Sequence, residues 1–233
     1  MLDYKFWEKY FKVYDVLNLC IPYQEMQKKI INELEIQPNE VILDAGAGTG
    51  NLASEIKKRG ARVIALDSSE AALQLCLKKN KYIKVIHYDL REKLVFPDDY
   101  FDRVVSVNTL FLIEPHFRST VVKELYRVLK KNGKIVLVNL QEGFRPLKIY
   151  FEHSRRIKEK EGLFKATKQM LKFIIPSFQI LYYAKKIERE SQQRKEFFKK
   201  EEQIQLLKKA GFKRISATER VYANQAFLNS AYK

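Results

Sequence analysis

Cysteine and histidine are both scarce in this chain of 233 residues, which contains two cysteines and three histidines. Cys20 and Cys76 lie far apart, and neither belongs to a CxxC or mixed Cys/His spacing. This pattern argues against a structural zinc site and against a disulfide framework. We therefore expect a cytoplasmic protein, kept reduced, that holds no metal.

Long apolar runs are also missing. No stretch reaches the roughly 18 apolar residues of a membrane-spanning helix. Residues 1–17 mix charges with aromatic residues where a signal peptide would be continuously apolar. Glycine and proline are few, at 8 and 6 residues, whereas 46% of the chain is apolar. This composition excludes the fibrous and disordered classes and indicates a globular chain with a buried core.

Acidic residues are in deficit. The chain has 44 Lys and Arg against 28 Asp and Glu, a formal net charge of +16. Residues 141–200 carry much of this excess, with sixteen Lys or Arg and seven Glu. An excess of this size is typical of proteins that meet a polyanion, which means nucleic acid or an anionic membrane surface.

Short β-branched runs alternate with helical patterns between residues 40 and 140, which predicts an α/β fold with a parallel sheet covered on both faces. The five runs are residues 41–43, 63–66, 83–87, 104–107 and 135–140. Two further runs, 212–218 and 225–232, predict an antiparallel edge hairpin, so the sheet has seven strands. The apolar spacing also predicts a helix over residues 119–133 with Asn132-Gly133 as its stop.

Four segments follow from this pattern. Residues 1–36 form an N-terminal helical cap, with helices near 4–18 and 23–35 separated by Pro22, and residues 37–140 form the core of the sheet. Residues 141–200 form a basic, aromatic helical insertion. Residues 201–233 add a helix that stops at Gly211 and the hairpin that completes the sheet.

The segment "VILDAGAGTG", residues 41–50, ends a buried strand in Asp44 and continues with Gly46, Gly48 and Gly50. Ligands of open α/β sheets bind beyond the carboxyl ends of the strands, and glycines there let the backbone approach a ligand and turn into a helix. The G-x-G-x-G spacing differs from the dinucleotide fingerprint, G-x-G-x-x-G. Because a carboxylate on this strand would repel a pyrophosphate, Asp44 favours a ligand with positive charge.

The next two strands also end in carboxylates. Asp67 comes 21 residues after Gly46, where it can accept both hydroxyls of a ribose, although it could instead cap the following helix. Asp89 lies just past the third strand, where it can accept the amino hydrogens of an adenine while the Leu90 amide faces a ring nitrogen; a turn aspartate is the alternative. Partners for an amine, a ribose and an adenine together describe S-adenosylmethionine.

At this point the chain resembles the class I S-adenosylmethionine-dependent methyltransferases. "VILDAGAGTG" is similar to their first motif, "ALDSS" to their second, "FPDDYFDRVVSVNTLFLI" to the stretch leading into their fourth strand, and "ELYRVLKKNGKIVLVNL" to their helix and fifth strand. The resemblance covers residues 38–140 closely and the final hairpin loosely. It implies a doubly wound, mostly parallel, Rossmann-like sheet and the cofactor S-adenosylmethionine, and it says little about the acceptor.

The resemblance also implies a cofactor site. Asp44 and Gly46 should lie by the methionine part, and Asn108 and Thr109 should line the floor between cofactor and acceptor. The segment "VYDVLN", residues 13–18, is similar to the entry segment of ubiquinone and menaquinone C-methyltransferases and of bacterial phospholipid N-methyltransferases, so Tyr14 should close over the cofactor, unless it is simply a core aromatic. The full expected set is Tyr14, Asp44, Ala45, Gly46, Gly48, Gly50, Asp67, Ser68, Asp89, Leu90, Asn108 and Thr109.

A methyl bound to a sulfonium is already activated, so an amine acceptor need only arrive deprotonated, whereas a hydroxyl or acidic carbon needs a general base. Glu114 and His116, in "LIEPHF" beyond strand four, are the catalytic candidates, and they equally suit the start of a helix. We expect His87 to pack in the core and His153 to be solvated in its basic helix.

We therefore expect an enzyme that methylates a small or lipid-like acceptor of the quinone-precursor or aminophospholipid type. Basic residues flank the apolar, aromatic stretch "MLKFIIPSFQILYY", residues 170–183. This suits a helix in the headgroup region of an anionic bilayer, peripheral at the inner membrane surface, with Phe173 and Ile174 entering the lipid.

Three alternatives stay open. The apolar stretch could only lid the acceptor pocket, with solvated lysines around it. An RNA methyltransferase could use the basic insertion, although "SVNTLFLIEP" stands where a base-stacking N-P-P-Y tetrad would be expected. The chain could also be a non-catalytic cofactor-binding protein. The oligomeric state is not predicted.

Overall fold

The computed structural model describes residues 4–162 and 196–233. Between these ranges it describes ten helical positions, which we call the 173–186 segment: 173, 175, 176, 178–180, 182, 183, 185 and 186. The expected helical insertion is therefore seen in part, and Ile174 lies outside the described residues. Within the described ranges, every helix is too short or too polar to cross a bilayer.

One sheet organises the described chain, with spatial strand order β3-β2-β1-β4-β5-β7-β6. Strands β1 to β5 pair in parallel, and β7 runs antiparallel between β5 and β6. The doubly wound, mostly parallel sheet with an antiparallel edge hairpin is thus confirmed. The strands are β1 Val41–Ala45, β2 Arg62–Asp67, β3 Lys84–His87, β4 Phe101–Val107, β5 Leu129–Leu140, β6 Glu219–Val221 and β7 Ala226–Tyr232.

Helices lie on both sides of the sheet, which is why the central strands are buried almost throughout. In α2, Met26, Ile30 and Leu34 recur every four residues and pack into the core. The helices are α1 Tyr4–Tyr14, α2 Ile21–Leu34, α3 Asn51–Lys57, α4 Glu70–Lys79, α5 Pro115–Val128, α6 Pro146–Glu161 and α7 Glu202–Ala210, with 3-10 turns at Asp15–Leu19 and Leu110–Leu112.

The expected helix stop at Asn132-Gly133 is wrong. Helix α5 ends at Val128, and β5 begins immediately at Leu129, which is buried and pairs with Phe101. The register shifts before β5 pairs again, and Asn132 adopts a φ of 61° inside the strand. The Asn-Gly pair therefore forms a strand irregularity, because Leu129 before it and residues 134–138 after it are buried and pair with β4, which outweighs the local turn signal.

The strand expected over residues 212–218 is also wrong. In that stretch only Lys213 and Ser216 form backbone hydrogen bonds with β7, and the hairpin strand is Glu219–Val221. Arg214, with a φ of 46°, interrupts the extended backbone. The end of α7 is as expected, since Gly211 closes it with a φ of 103°.

Candidate cofactor and acceptor site

The glycine-rich loop follows β1, where the strand order reverses between β1 and β4. Gly46 has a φ of 83°, and a Cβ there would lie 2.1 Å from Oγ1 of Thr109, so the close approach of two strand ends requires glycine. Gly48 has a φ of 54° and borders open space. The loop therefore presents backbone to the cavity beside it, as expected for a ligand-binding turn.

Asp67, at the end of β2, binds this loop directly. Its Oδ2 accepts a hydrogen bond of 2.8 Å from the Gly48 backbone N–H, and its Oδ1 accepts one of 2.8 Å from the Ser69 backbone N–H. Burial raises the pKa of the carboxyl, and these two amides oppose the rise. Asp67 thus sets the shape of the loop, a role that the sequence did not reveal.

Asp44 is a buried carboxylate whose side chain is 2% exposed. Its Oδ2 accepts no hydrogen bond from any described residue. Burial, and then the charge of Asp67, raise its pKa to about 7. A cation placed between these carboxylates would relieve both effects, so the site fits the sulfonium and amine of the expected cofactor.

Asp89 is held by a neighbour. The Arg91 guanidinium donates to both of its oxygens, with 2.6 Å between Nη2 and Oδ2, and holds the pKa of the carboxyl below its usual range. Asp89 also accepts the Arg91 backbone N–H, as a turn aspartate does. The turn contact of the alternative interpretation is therefore present, and Asp89 also borders the cavity together with Leu90.

Glu114 and His116 are placed differently. Glu114 borders the cavity, with Oε1 3.5 Å from Nη1 of Arg91 and a buried Oε2 that no described residue contacts by hydrogen bonding. Its side chain does not cap α5, which begins with Pro115. His116 is exposed, stacks against Phe117 and is absent from the cavity wall.

Asn108 and Thr109 follow β4, and both border the cavity. Asn108 has a φ of 53°, and its backbone N–H donates a 2.7 Å hydrogen bond to the Val138 carbonyl. Its side-chain Oδ1 is buried and has no partner among the described residues. The Thr109 hydroxyl donates to the Gly46 carbonyl across 3.3 Å. A polar acceptor thus remains available beside the glycine-rich loop.

The cap contacts the end of the glycine-rich loop through Asp15, which follows Tyr14. Tyr14 borders the cavity, and burial, followed by the charge of Asp15, raises its pKa to about 12. Asp15 accepts hydrogen bonds from Thr49 and Asn51 and pairs with Lys79. Apart from the position of Asp15 in the "VYDVLN" segment, no sequence pattern indicates this network.

A continuous cavity of about 1320 Å³ joins these residues. Ten of the twelve expected cofactor residues border it, whereas Ala45 is buried in β1 and Gly50 sits at the start of α3 against Cys76. The cavity continues under the cap and the insertion, where its wall is mostly apolar. That wall includes Leu17, Phe111, Ile113, Leu140, Phe144, Ile149, Phe173, Ile180 and Phe197.

Two histidines lie where the sequence did not place them. His153, expected to be solvated, is 2% exposed and borders the cavity, because Ile149, His153 and Ile157 form the inward face of α6. His87, expected in the core, is exposed at the end of the edge strand β3, with Nε2 2.9 Å from the Ser68 carbonyl.

Comparison with known proteins finds methyltransferases by family model, by sequence and by structure. The family model described as a methyltransferase domain matches residues 42–133. A demethylmenaquinone methyltransferase of Alkalihalophilus pseudofirmus is 30% identical over 162 residues, which cover 64% of this chain and 68% of that protein. One from Geobacillus sp. is 28% identical over 224 residues, covering 88% and 86%. The crystal structure of a SAM-dependent methyltransferase from Aquifex aeolicus superposes with a TM-score of 0.61 at 17% identity, covering 100% and 99%.

Proposed function

The chain belongs to the class I S-adenosylmethionine-dependent methyltransferases, near the ubiquinone and menaquinone group, and we propose that it methylates a lipid-like ring acceptor of the quinone-precursor type. The observation that carries this proposal is the apolar, aromatic wall of the cavity beyond the glycine-rich loop. Such a wall holds a flat apolar ring by burial and excludes water from the reaction. The names of the relatives support the same class of acceptor.

We assign the cofactor to the strand ends. When bound, S-adenosylmethionine supplies an activated methyl group on a sulfonium. Asp44 would meet its positive end, Asp67 the ribose hydroxyls, and Asp89 with Leu90 the adenine edge. Each assignment uses a group that borders the cavity. For Asp44 it also supplies the partner that the buried Oδ2 lacks.

Glu114 is the proposed general base. Methylation of a ring carbon or hydroxyl transfers CH3 to the acceptor and releases one proton from it. Oε2 of Glu114 is buried in the cavity wall without a hydrogen-bond partner among the described residues, while Oε1 faces Arg91. The proton would pass to Oε2, since this carboxylate combines access to the cavity with a fixed orientation.

The proposed partner is an anionic membrane that supplies the acceptor. In the 173–186 segment, Ile175, Phe178 and Tyr182 follow helical spacing and are 66%, 70% and 62% exposed. Leu147 and Phe151 of α6 are exposed as well. Exposed apolar side chains near the cavity, in a strongly basic chain, suit insertion among lipid headgroups.

One part of the membrane expectation is wrong. Phe173, expected to enter the lipid, is 7% exposed and packs against His153, with ring centroids 4.7 Å apart. Phe173 borders the cavity, whereas Ile175 and Tyr182 are exposed. The 173–186 segment therefore has an inner face toward the cavity and an outer face toward solvent. Any contact with lipid must use the outer face.

A labelled-methyl assay tests the proposal. The purified enzyme would be given radiolabelled S-adenosylmethionine with a naphthohydroquinone, with vesicles of an aminophospholipid, or with total RNA. We expect label in the ring compound, and Asp44→Asn should abolish it. Transfer to RNA or only to the aminophospholipid would contradict the proposed acceptor class.

A further inference from the structure

Two polar side chains interrupt the apolar part of the cavity. Gln27 of α2 and His153 of α6 both border it, and these two helices pack against each other. Nε2 of Gln27 and Nε2 of His153 are buried, and neither has a hydrogen-bond partner among the described residues. Buried polar groups are nearly always paired, so two unpaired groups beside one cavity point to a ligand that completes them.

The hydrogen bond of His153 fixes which ring nitrogen carries the proton. Its Nδ1 lies 3.2 Å from the Ile21 backbone nitrogen and accepts that N–H, so Nδ1 has no proton of its own. Burial lowers the pKa of the imidazole, which keeps the ring neutral. In a neutral ring whose Nδ1 is unprotonated, the proton sits on Nε2. The unpaired atom is therefore a hydrogen-bond donor.

The amide nitrogen of Gln27 is a donor as well. We infer that Gln27 and His153 form an oxygen-binding recess, in which they donate hydrogen bonds to a hydroxyl or carbonyl oxygen carried by the ring of the methyl acceptor. This inference rests on the proposed function and narrows it: the acceptor is an oxygenated ring, a phenol, hydroquinone or quinone derivative, whose oxygen is bound away from the cofactor.

The charges around the cavity separate this acceptor from a phospholipid. At the recess, two donors would leave an ammonium group without an acceptor. A phosphate needs a cation, and Arg91 is the only basic side chain among the described residues of the cavity wall. Arg91 is already bound to Asp89 near the strand ends. Neutral donors in an apolar wall suit a neutral oxygen, because no uncompensated charge is then buried.

Binding of two matched ring compounds tests the recess. The probes are 2-naphthol and 2-methylnaphthalene, which differ by a hydroxyl in place of a methyl group, and titrations would use protein saturated with S-adenosylhomocysteine. We expect 2-naphthol to bind the unmodified protein about tenfold more tightly, the factor that a hydrogen bond of ordinary strength supplies. His153→Phe and Gln27→Leu should each reduce the preference to about twofold or less.

The control is Lys148→Ala, because Lys148 is exposed on α6, the helix of His153, and does not border the cavity. This variant should keep the full preference for 2-naphthol. Unchanged affinity for S-adenosylhomocysteine would show that each variant is folded, and if one fails to fold, the other variant alone decides. Equal binding of the two probes to the unmodified protein, or a preference that survives in both variants, would overturn the recess and leave the proposed function standing. Failure of both probes to bind at all would overturn the ring acceptor itself, and the recess with it.

Discussion

The hydroxyl of Thr49 donates a 2.6 Å hydrogen bond to Oδ1 of Asp15, and this bond ties the glycine-rich loop to the N-terminal cap. Nζ of Lys79, at the end of α4, lies 2.7 Å from the other Asp15 oxygen and 2.8 Å from the Thr49 hydroxyl. One carboxylate of the cap therefore holds groups from two separate segments of the sheet domain. Because Tyr14 precedes Asp15, the same contact holds the backbone next to Tyr14, whose aromatic side chain borders the cavity.

Removing this carboxylate should weaken cofactor binding. We expect Asp15→Ala to lower the affinity for S-adenosylhomocysteine about three- to tenfold, because the cap then loses charge-assisted hydrogen bonds of about 1 kcal/mol net. Calorimetry measures the change. Glu55→Ala is the control, since Glu55 pairs with Lys58 on the surface of α3. If both variants bind equally well, the network does not hold the cap in place.

The raised pKa of Asp44 predicts that Asp44→Asn stabilises the folded protein while abolishing methyl transfer. The pKa rises from an ordinary 3.8 to about 7, so the folded protein binds the proton more tightly than the unfolded chain. The free energy of unfolding should therefore fall as the pH rises from about 4 to about 7, and stay lowered above that. Asp44→Asn should gain on the order of 2 to 4 kcal/mol at pH 8, and urea denaturation measures it.

The same experiment contains its own control. At pH 4, where Asp44 is largely protonated in the folded protein, the gain from Asp44→Asn should nearly vanish. A gain of equal size at both pH values would mean that packing, and not charge, is responsible. Binding of S-adenosylmethionine should also weaken as the pH falls below 7, because a protonated Asp44 no longer attracts the cation.

The substitution Asp67→Ala should weaken S-adenosylmethionine binding by about 1.5 to 3 kcal/mol, the range for hydrogen bonds to a charged group. Part of any loss will come from the loop, since Asp67 also accepts the Gly48 and Ser69 amides. A 2′-deoxy analogue of S-adenosylhomocysteine separates the two effects by calorimetry. If the variant loses as much affinity for the deoxy analogue as for the parent compound, Asp67 does not bind the 2′ hydroxyl of the ribose.

The strand-end carboxylates could be found in the sequence because their position follows from a local rule. Parallel strands end at one edge of the sheet, so Asp44, Asp67 and Asp89 were expected to border one site once the strands were recognised, and all three border the cavity. The contacts of the cap follow no such rule. Asp15, in a 3-10 turn of the cap, meets Thr49 of the glycine-rich loop only through tertiary packing, and no periodicity encodes that contact.

His153 shows a signal that was present and misread. The spacing of Ile149, His153 and Ile157 predicts one inward helix face, but the charged residues around His153 favoured a solvated position. At Asn132-Gly133 the opposite occurred, since a strong local turn signal gave way to the pairing of Leu129 with Phe101. In both places tertiary burial decided, and the surrounding composition did not.

The positions of Glu114 and His116 predict different kinetic effects. With a hydroxylated ring as acceptor, Glu114→Gln should lower kcat about 10²-fold, since the side chain keeps its size but cannot take a proton. His116→Ala, at an exposed site outside the cavity wall, should change kcat less than about twofold. Steady-state assays with labelled cofactor measure both. Full activity of Glu114→Gln on a C- or O-methylated product would remove Glu114 as the base.

Recruitment to membranes should depend on the outer face of the 173–186 segment. Each basic residue near an anionic surface contributes about 1 kcal/mol of binding free energy, and salt reduces this contribution. Inserted apolar side chains contribute a part of the binding free energy that salt does not remove. We therefore expect the protein to sediment with anionic but not zwitterionic vesicles. The variant Ile175→Ser, Tyr182→Ser should lose the salt-resistant part. Neither residue borders the cavity, so cofactor binding should stay unchanged.

The matched control is Tyr82→Ser, Val95→Ser, which removes two exposed apolar side chains outside the cap and the insertion. It should sediment like the unmodified protein, and competing RNA should not displace either one from anionic vesicles. RNA also binds basic surfaces in a salt-dependent way, so salt alone does not distinguish the two partners. A nucleic-acid partner would be favoured if the Ile175→Ser, Tyr182→Ser variant binds vesicles as well as the unmodified protein does, and if RNA displaces both from them. Only insertion into lipid requires exposed aliphatic side chains such as Ile175.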